Sequence, residues 1–266
     1  MTHSTAIQRK RITRLTETAA SLPDVRAEVE ANHDDNRWWP TRIADPRMRM
    51  LAAGWSTRVG YRMVEAYADV IGKADALGFD ALTACTDNEV TDLVRPLGLT
   101  RARIDYLRSL GQVTEQWAKE GTDPAQFPQD VLIQQLADHL RGASYKVAQC
   151  AVLYSRGYHC GIIPVDSGMV TKLAPALGIE LPYGALAHER LRHILEDTVT
   201  RDPDVFRAMA YRYAHQVTIP DNVAPTWWAH LVLIYFKRLY LNKPPTPLCT
   251  RRPVCAEIIG CPHTSR

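Results

Sequence analysis

The chain has 266 residues, a formal net charge of +3 and six cysteines, which suits one large domain or two small lobes with a buried core. No apolar run reaches the roughly 18 residues of a membrane helix, and Met1-Thr2-His3-Ser4 lacks the apolar core of a secretory signal. A cytoplasmic, reducing setting is therefore expected, with the cysteines as thiols or metal ligands rather than disulfides. Walker loop, dinucleotide fingerprint and Gly-x-Ser-x-Gly elbow are all missing from the sequence. Basic residues gather at Arg9, Lys10, Arg11 and Arg14, at Arg101, Arg103 and Arg108, and at Lys237, Arg238, Lys243, Arg251 and Arg252. On one face they would attract phosphates; otherwise they are three unrelated solvated patches.

The pattern is helical nearly throughout, without sheet alternation or internal repeat. The first ~40 residues are polar and are expected to be partly loose. Met48, Leu51, Ala52, Trp55, Val59, Met63, Ala66 and Val70 recur at three- and four-residue steps, as one buried helix face would. Asp87 is the expected N-cap of a short helix carrying Val90, Leu93 and Val94, stopped by Pro96 and Gly98. Further helices are predicted over 101–117, from Asp130 to Leu140, and over 146–154. Asp166 opens the next, with Met169, Val170, Leu173 and Leu177 inward and Gly178 as its stop. Helices over 185–198, 204–215 and 226–241 complete the chain.

One short region concentrates chemistry. In Leu140-Arg141-Gly142-Ala143-Ser144-Tyr145-Lys146-Val147-Ala148 a glycine turn separates two helices. Gly142 lets the backbone turn and approach a phosphate with no Cβ in the way, and the amides opening the second helix favour an anion. Leu140 and Val147 or Ala148 would pin the two helices. The structural alternative is an ordinary junction between helices. Asp166, 20 positions after Lys146, stands in Pro164-Val165-Asp166-Ser167. It is a normal N-cap and also a carboxylate that could stabilise a cation or move protons.

This arrangement resembles the helix-hairpin-helix DNA glycosylases, the HhH-GPD superfamily that contains endonuclease III and adenine DNA glycosylase. The resemblance spans about residues 48–261 and is strongest from Leu140 to Gly178. The family pattern is Leu-Pro-Gly-Val-Gly-x-Lys; here Arg141, Ala143 and Ser144 replace the proline, the valine and the second glycine. Gly168 stands where the family usually has histidine, and Gly54-Trp55-Ser56-Thr57-Arg58 lacks the glutamine that fills the hole left by a flipped base. Trp55 is either a wedge between bases or core.

The resemblance implies an all-α, two-lobed fold. A central lobe over 50–163 ends in the hairpin, and 1–49 plus 164–266 form the second lobe. It implies a monomer that binds double-stranded DNA at Gly142, Ala143 and Ser144. The base leaves the duplex and enters a cleft faced by Lys146 and Asp166. Lys146 is then the Schiff-base nucleophile of a base-excision glycosylase with AP-lyase activity, and Asp166 steadies the cationic sugar. A lysine attacks only when neutral, which desolvation promotes. Alternatives within the fold are an enzyme for a hypermodified nucleobase or nucleoside, and a non-catalytic DNA-binding module.

Cys249, Cys255 and Cys261 resemble the tail of the family's iron–sulfur members, where four cysteines hold a 4Fe-4S cluster. Only three stand here, so His263, or one of Cys85, Cys150 and Cys160, would complete the set. Zinc, or no metal, are the alternatives. Trp38-Trp39 and Trp227-Trp228 could stack on a base but read first as packing. His188, His193, His215 and His230 show no metal spacing.

Overall fold

The computed structural model describes residues 5–36 and 42–242. Among them every regular element is helical. In chain order these are α1 (Ala6–Ala20), α2 (Pro23–His33), α3 (Pro46–Trp55), α4 (Val64–Leu77), α5 (Phe79–Ala84), α6 (Asp87–Val94), α7 (Thr100–Lys119), α8 (Gln129–His139) and α9 (Tyr145–Arg156). A π-helical turn, Met169–Leu173, runs into the one-turn α10 (Ala174–Ala176). Then come α11 (Leu186–Arg201), α12 (Pro203–Arg212) and α13 (Thr226–Phe236), which continues into a second π-helical turn, Lys237–Leu241. Among the described residues no helix is long and apolar enough to cross a membrane.

The chain divides into two compact units, Asp35–Gly157 and Met1–Asp34 with Tyr158–Arg266. In the first, α3 packs on α9 and α7, and α8 packs on α9. Small buried residues, Ala52 and Ala53 on α3 and Ala148 and Ala151 on α9, let these backbones approach closely. Tyr67 and Tyr106 bury their rings and donate their hydroxyls to the Ala52 and Met50 carbonyls at 2.8 and 3.0 Å, so no buried hydroxyl is left unsatisfied there. Trp55 is fully buried and donates its indole N–H to the Arg103 carbonyl at 3.1 Å. It is core, not a wedge.

The stripe from Met48 to Val70 is two helices rather than one. The chain leaves α3 at Trp55, and Arg58 takes a left-handed φ of 56°. The buried Arg103 guanidinium holds this break. It donates to the carbonyls of Trp55, Thr57, Leu97 and Gly98, so the frayed ends of two segments share one cation. The N-cap of α6 is Thr86, not Asp87. Thr86 and Glu89 form a capping box, the Thr86 hydroxyl accepting from the Glu89 amide at 3.3 Å and the Glu89 carboxylate from the Thr86 amide at 2.7 Å.

In the other unit α13 packs on α2, α1 and α11. Every residue of α13 is buried, as expected of a helix apolar all round. The polar N-terminal stretch is not loose where it is described: α1 starts on a Thr5–Gln8 capping box and buries Ile12, Leu15 and Ala19. Val25 and Val29 of α2 are buried beside them. Two to four apolar residues per helix, correctly spaced, suffice to dock a mostly polar sequence.

Candidate functional site

The hairpin lies between α8 and α9. Leu140 ends α8, Gly142 adopts φ 77°, and the Ala143 amide closes the turn on the Leu140 carbonyl at 3.1 Å. Leu140, Val147 and Ala148 are buried and pin the two helices, as the sequence predicts. The Arg141 amide donates to the Ser109 hydroxyl at 3.0 Å, which ties the turn to α7. Ser144 is the N-cap of α9, yet its hydroxyl caps no amide. Among the described residues, the amides of Gly142, Ser144, Tyr145 and Lys146 reach no backbone carbonyl. Arg141, Gly142 and Ser144 are exposed and Ala143 is half-buried, so these donors sit at a surface with the positive end of a helix behind them.

Lys146 is half-buried on the first turn of α9, followed by the buried Val147 and Ala148. Its neighbour Tyr145 donates its hydroxyl to the Gln134 side chain at 2.6 Å, a bridge from α9 to α8. Gly157, at φ 97°, ends α9.

Asp166 belongs to the other unit. Its Oδ1 accepts the Met169 amide at 2.7 Å, the N-cap bond the sequence predicts, at the head of a helical segment that starts at Ser167 and is π-helical from Met169. Its Oδ2 accepts from the Lys237 ammonium, 71 positions away. Lys237 is nearly fully buried, with 3% of its side chain exposed, whereas Asp166 keeps 27%. Burial works to raise the Asp166 carboxyl. The Lys237 charge and hydrogen bond, the Met169 amide and the Arg238 charge outweigh it, and the group lies below the usual carboxylate range. Burial pushes the Lys237 ammonium below the usual lysine range against the pull of Asp166, and Arg238 and Lys172 add to that push. Leu173 and Leu177 are buried and Gly178, at φ 63°, stops the segment.

Lys237 is the residue that sequence reasoning missed. It reads as one member of a C-terminal basic cluster. Two signals stood beside it: a lysine directly after the all-apolar run of α13, and a glycine at 168. Some members of the basic clusters are committed to carbonyls within the protein. Arg103 is buried on four carbonyls, and Arg108 donates to the carbonyls of Thr83 and Cys85 and to Asp87. Arg11 donates to the Leu177 carbonyl at 3.0 Å. Arg103 closes an internal junction, Arg108 is half-buried, and Arg11 makes its bond from an exposed position.

The paired tryptophans of α13 are packing residues. Trp227 stacks between Tyr158 and His230, with ring centroids 4.5 and 5.3 Å away, and donates to the His33 carbonyl. Trp228 is fully buried and donates to His215 Nδ1 at 3.2 Å. His33 Nδ1 lies 2.5 Å from Asp34, whose carboxylate also accepts the Thr218 amide and hydroxyl. His188 Nδ1 lies 2.8 Å from the Val165 carbonyl, next to Asp166. Trp38, Trp39, Cys249, Cys255, Cys261 and His263 lie outside the described residues. Of the other cysteines, Cys150 is buried within α9 and Cys85 and Cys160 are half-buried. No model of a protein family matches the chain, and no curated protein matches it.

Proposed function

We propose that this chain is a DNA base-excision glycosylase with AP-lyase activity, working as a monomer on double-stranded DNA. The observation that carries the reading is the hairpin. A left-handed glycine turn presents unbonded amides at a surface, and a lysine follows on the first turn of the next helix. Such amides suit a backbone phosphate, and they would hold the strand while Lys146 meets the sugar. In its neutral form the Lys146 amine attacks C1′ and the bond to the base breaks. The base leaves with the bonding pair and takes up a proton. The amine loses its proton, the C1′–O4′ bond opens with O4′ taking the pair and a proton, and the Schiff base so formed permits loss of a C2′ proton and elimination of the 3′ phosphate. Asp166, an anion capped and ion-paired in its own unit, supplies the negative charge that favours the cationic sugar. The same reading gives the C-terminal cysteines, Cys249, Cys255 and Cys261, a structural 4Fe-4S cluster with His263 as the candidate fourth ligand; iron, sulfide and zinc analysis of the purified protein tests that part.

Borohydride trapping tests the lysine. The protein is incubated with duplexes carrying an abasic site, an oxidised pyrimidine or a mismatched adenine, and reductant is added. The expected result is a covalent protein–DNA adduct that disappears in Lys146→Ala while duplex binding persists. Base release without an adduct would point to a glycosylase that does not use the lysine. Activity on a free modified nucleoside with weak duplex affinity would favour the nucleoside enzyme. Salt-sensitive binding with no product from any substrate would leave a DNA-binding module.

A further inference from the structure

The Asp166–Lys237 pair is built with more care than an N-cap needs. A Cβ added at Gly168 would lie 2.9 Å from the Lys237 Nζ and 3.1 Å from its Cδ. The lysine therefore occupies the volume that any side chain at 168 would claim. Gly168 has an ordinary helical φ of −71°, so packing and not backbone conformation is what asks for glycine here. The two π-helical turns, Met169–Leu173 and Lys237–Leu241, pack against each other; Lys237 opens the second, and Asp166 stands three residues before the first and accepts its leading amide. Single π turns of this kind recur at functional sites.

We propose that Lys237 is a positioning residue that clamps Asp166 as an oriented anion, so that the carboxylate acts through its charge and not as a proton acceptor. The inference rests on the glycosylase reading for its catalytic meaning. It decides between the two roles that a carboxylate at this place admits. Oδ1 is fixed by the Met169 amide and Oδ2 by Lys237, which leaves one rotamer. The charged groups acting on it are Lys237 and Arg238, both from the second π turn, while Lys172 from the first acts on Lys237; from α11, His188 bonds the adjacent Val165 carbonyl. The Lys237 and Arg238 charges oppose a proton on Asp166 from one element, and the Met169 amide opposes it from the head of the other. A general base must accept a proton near the working pH; a carboxylate held this way stays charged and serves a developing cation instead.

The test uses the full chain as wild type, Lys237→Met, Lys237→Arg and Gly168→Ala. Carboxyl carbons of labelled aspartates are followed by NMR against pH, and the Asp166 signal is identified by its loss in Asp166→Asn. Wild-type Asp166 should titrate below the free value of about 3.9. In Lys237→Met burial remains and the cation is gone, so the midpoint should rise above that value, and Lys237→Arg should bring it back down. Gly168→Ala displaces the ammonium without removing it and should raise the midpoint in the same direction, which keeps the test open if Lys237→Met does not fold. In base-release kinetics Lys237→Met should lower kcat by on the order of 100-fold with KM for DNA little changed, and its acid limb should move to higher pH. An Asp166 midpoint unchanged in Lys237→Met and Gly168→Ala overturns the proposal. So does a borohydride adduct that survives Lys146→Ala and vanishes in Lys237→Met, because Lys237 would then be the nucleophile. If the wild type releases no base from any duplex while the midpoints shift as stated, the glycosylase reading falls and the clamp stands.

Discussion

Replacing Gly142 by alanine separates what the hairpin backbone does from what its side chains do. Gly142 has φ 77°, and a Cβ built there meets nothing within 4 Å, so no clash enters the cost. The left-handed conformation itself costs an L-residue about 1–2 kcal/mol. The stiffer unfolded chain of the alanine variant offsets roughly 0.4–1 kcal/mol of that. The net loss should be near 1 kcal/mol. Asparagine tolerates the left-handed region better, so Gly142→Asn should recover part of it. Urea denaturation should therefore rank the proteins glycine, asparagine, alanine. If the turn in the alanine variant relaxes toward negative φ, the Ala143–Leu140 bond at 3.1 Å opens and the free amides lose their common aim. Affinity for duplex DNA, read by fluorescence anisotropy, should then fall at every salt concentration. The slope of log affinity against log salt should stay the same, because amides carry no formal charge. Lys146→Ala should instead lower that slope by about 1 if its ammonium neutralises a phosphate. Unchanged stability in Gly142→Ala would refute the left-handed turn. Lost stability with unchanged affinity would refute the phosphate role of its amides.

Arg103→Met should cost about 3–5 kcal/mol in chemical denaturation, because it leaves the carbonyls of Trp55, Thr57, Leu97 and Gly98 without their shared donor; a loss under about 1 kcal/mol would show that water replaces the guanidinium easily. His33, His159 and His215 are each held below the usual histidine range, foremost by burial. The unfolded chain then binds more protons than the folded one once pH drops below about 6.5. Stability present above that pH should be lost as pH falls from about 6.5 through the lower folded values, and melting temperatures from pH 8 to 5 should show it. A melting temperature that is flat across this window would contradict the neutral state of the buried His33 and His215 and the half-buried His159.

What could be read directly from the sequence was local. The hairpin is encoded within nine residues: a leucine to bury, a glycine that alone takes φ 77°, and apolar residues one turn into the next helix. The cap at Asp166 is equally local, since its acceptor and the Met169 amide are three positions apart. The capping boxes at Thr5–Gln8 and Thr86–Glu89 were present in the letters as well. They stand out poorly because α1 is too polar for its few buried residues to mark a face, and because Asp87 offers a second acceptor beside Thr86. The break after Trp55 was not legible. Its apolar spacing continues in register, and the group that ends the helix, Arg103, arrives from 48 positions away. The π-helical turns are hidden for a related reason: each continues a helical stretch whose apolar residues keep an α-like spacing.

The Asp166–Lys237 pair is the part of the candidate site with the least local signature and the clearest physical consequence. A buried ion pair adds little net stability, because desolvating both groups offsets most of their attraction. An apolar pair of similar volume would fill the space around Gly168 at no greater cost, but the Met169 amide would then lose its acceptor. What the lysine adds is direction and charge. One oxygen is fixed along the helix by an amide and the other from the facing turn by an ammonium, while over a quarter of the aspartate side chain still meets solvent. A carboxylate needed only as a cap would gain nothing from the second bond. A carboxylate that must present a fixed negative charge to a short-lived cation gains from both, and the missing Cβ at Gly168 is what lets the second bond form.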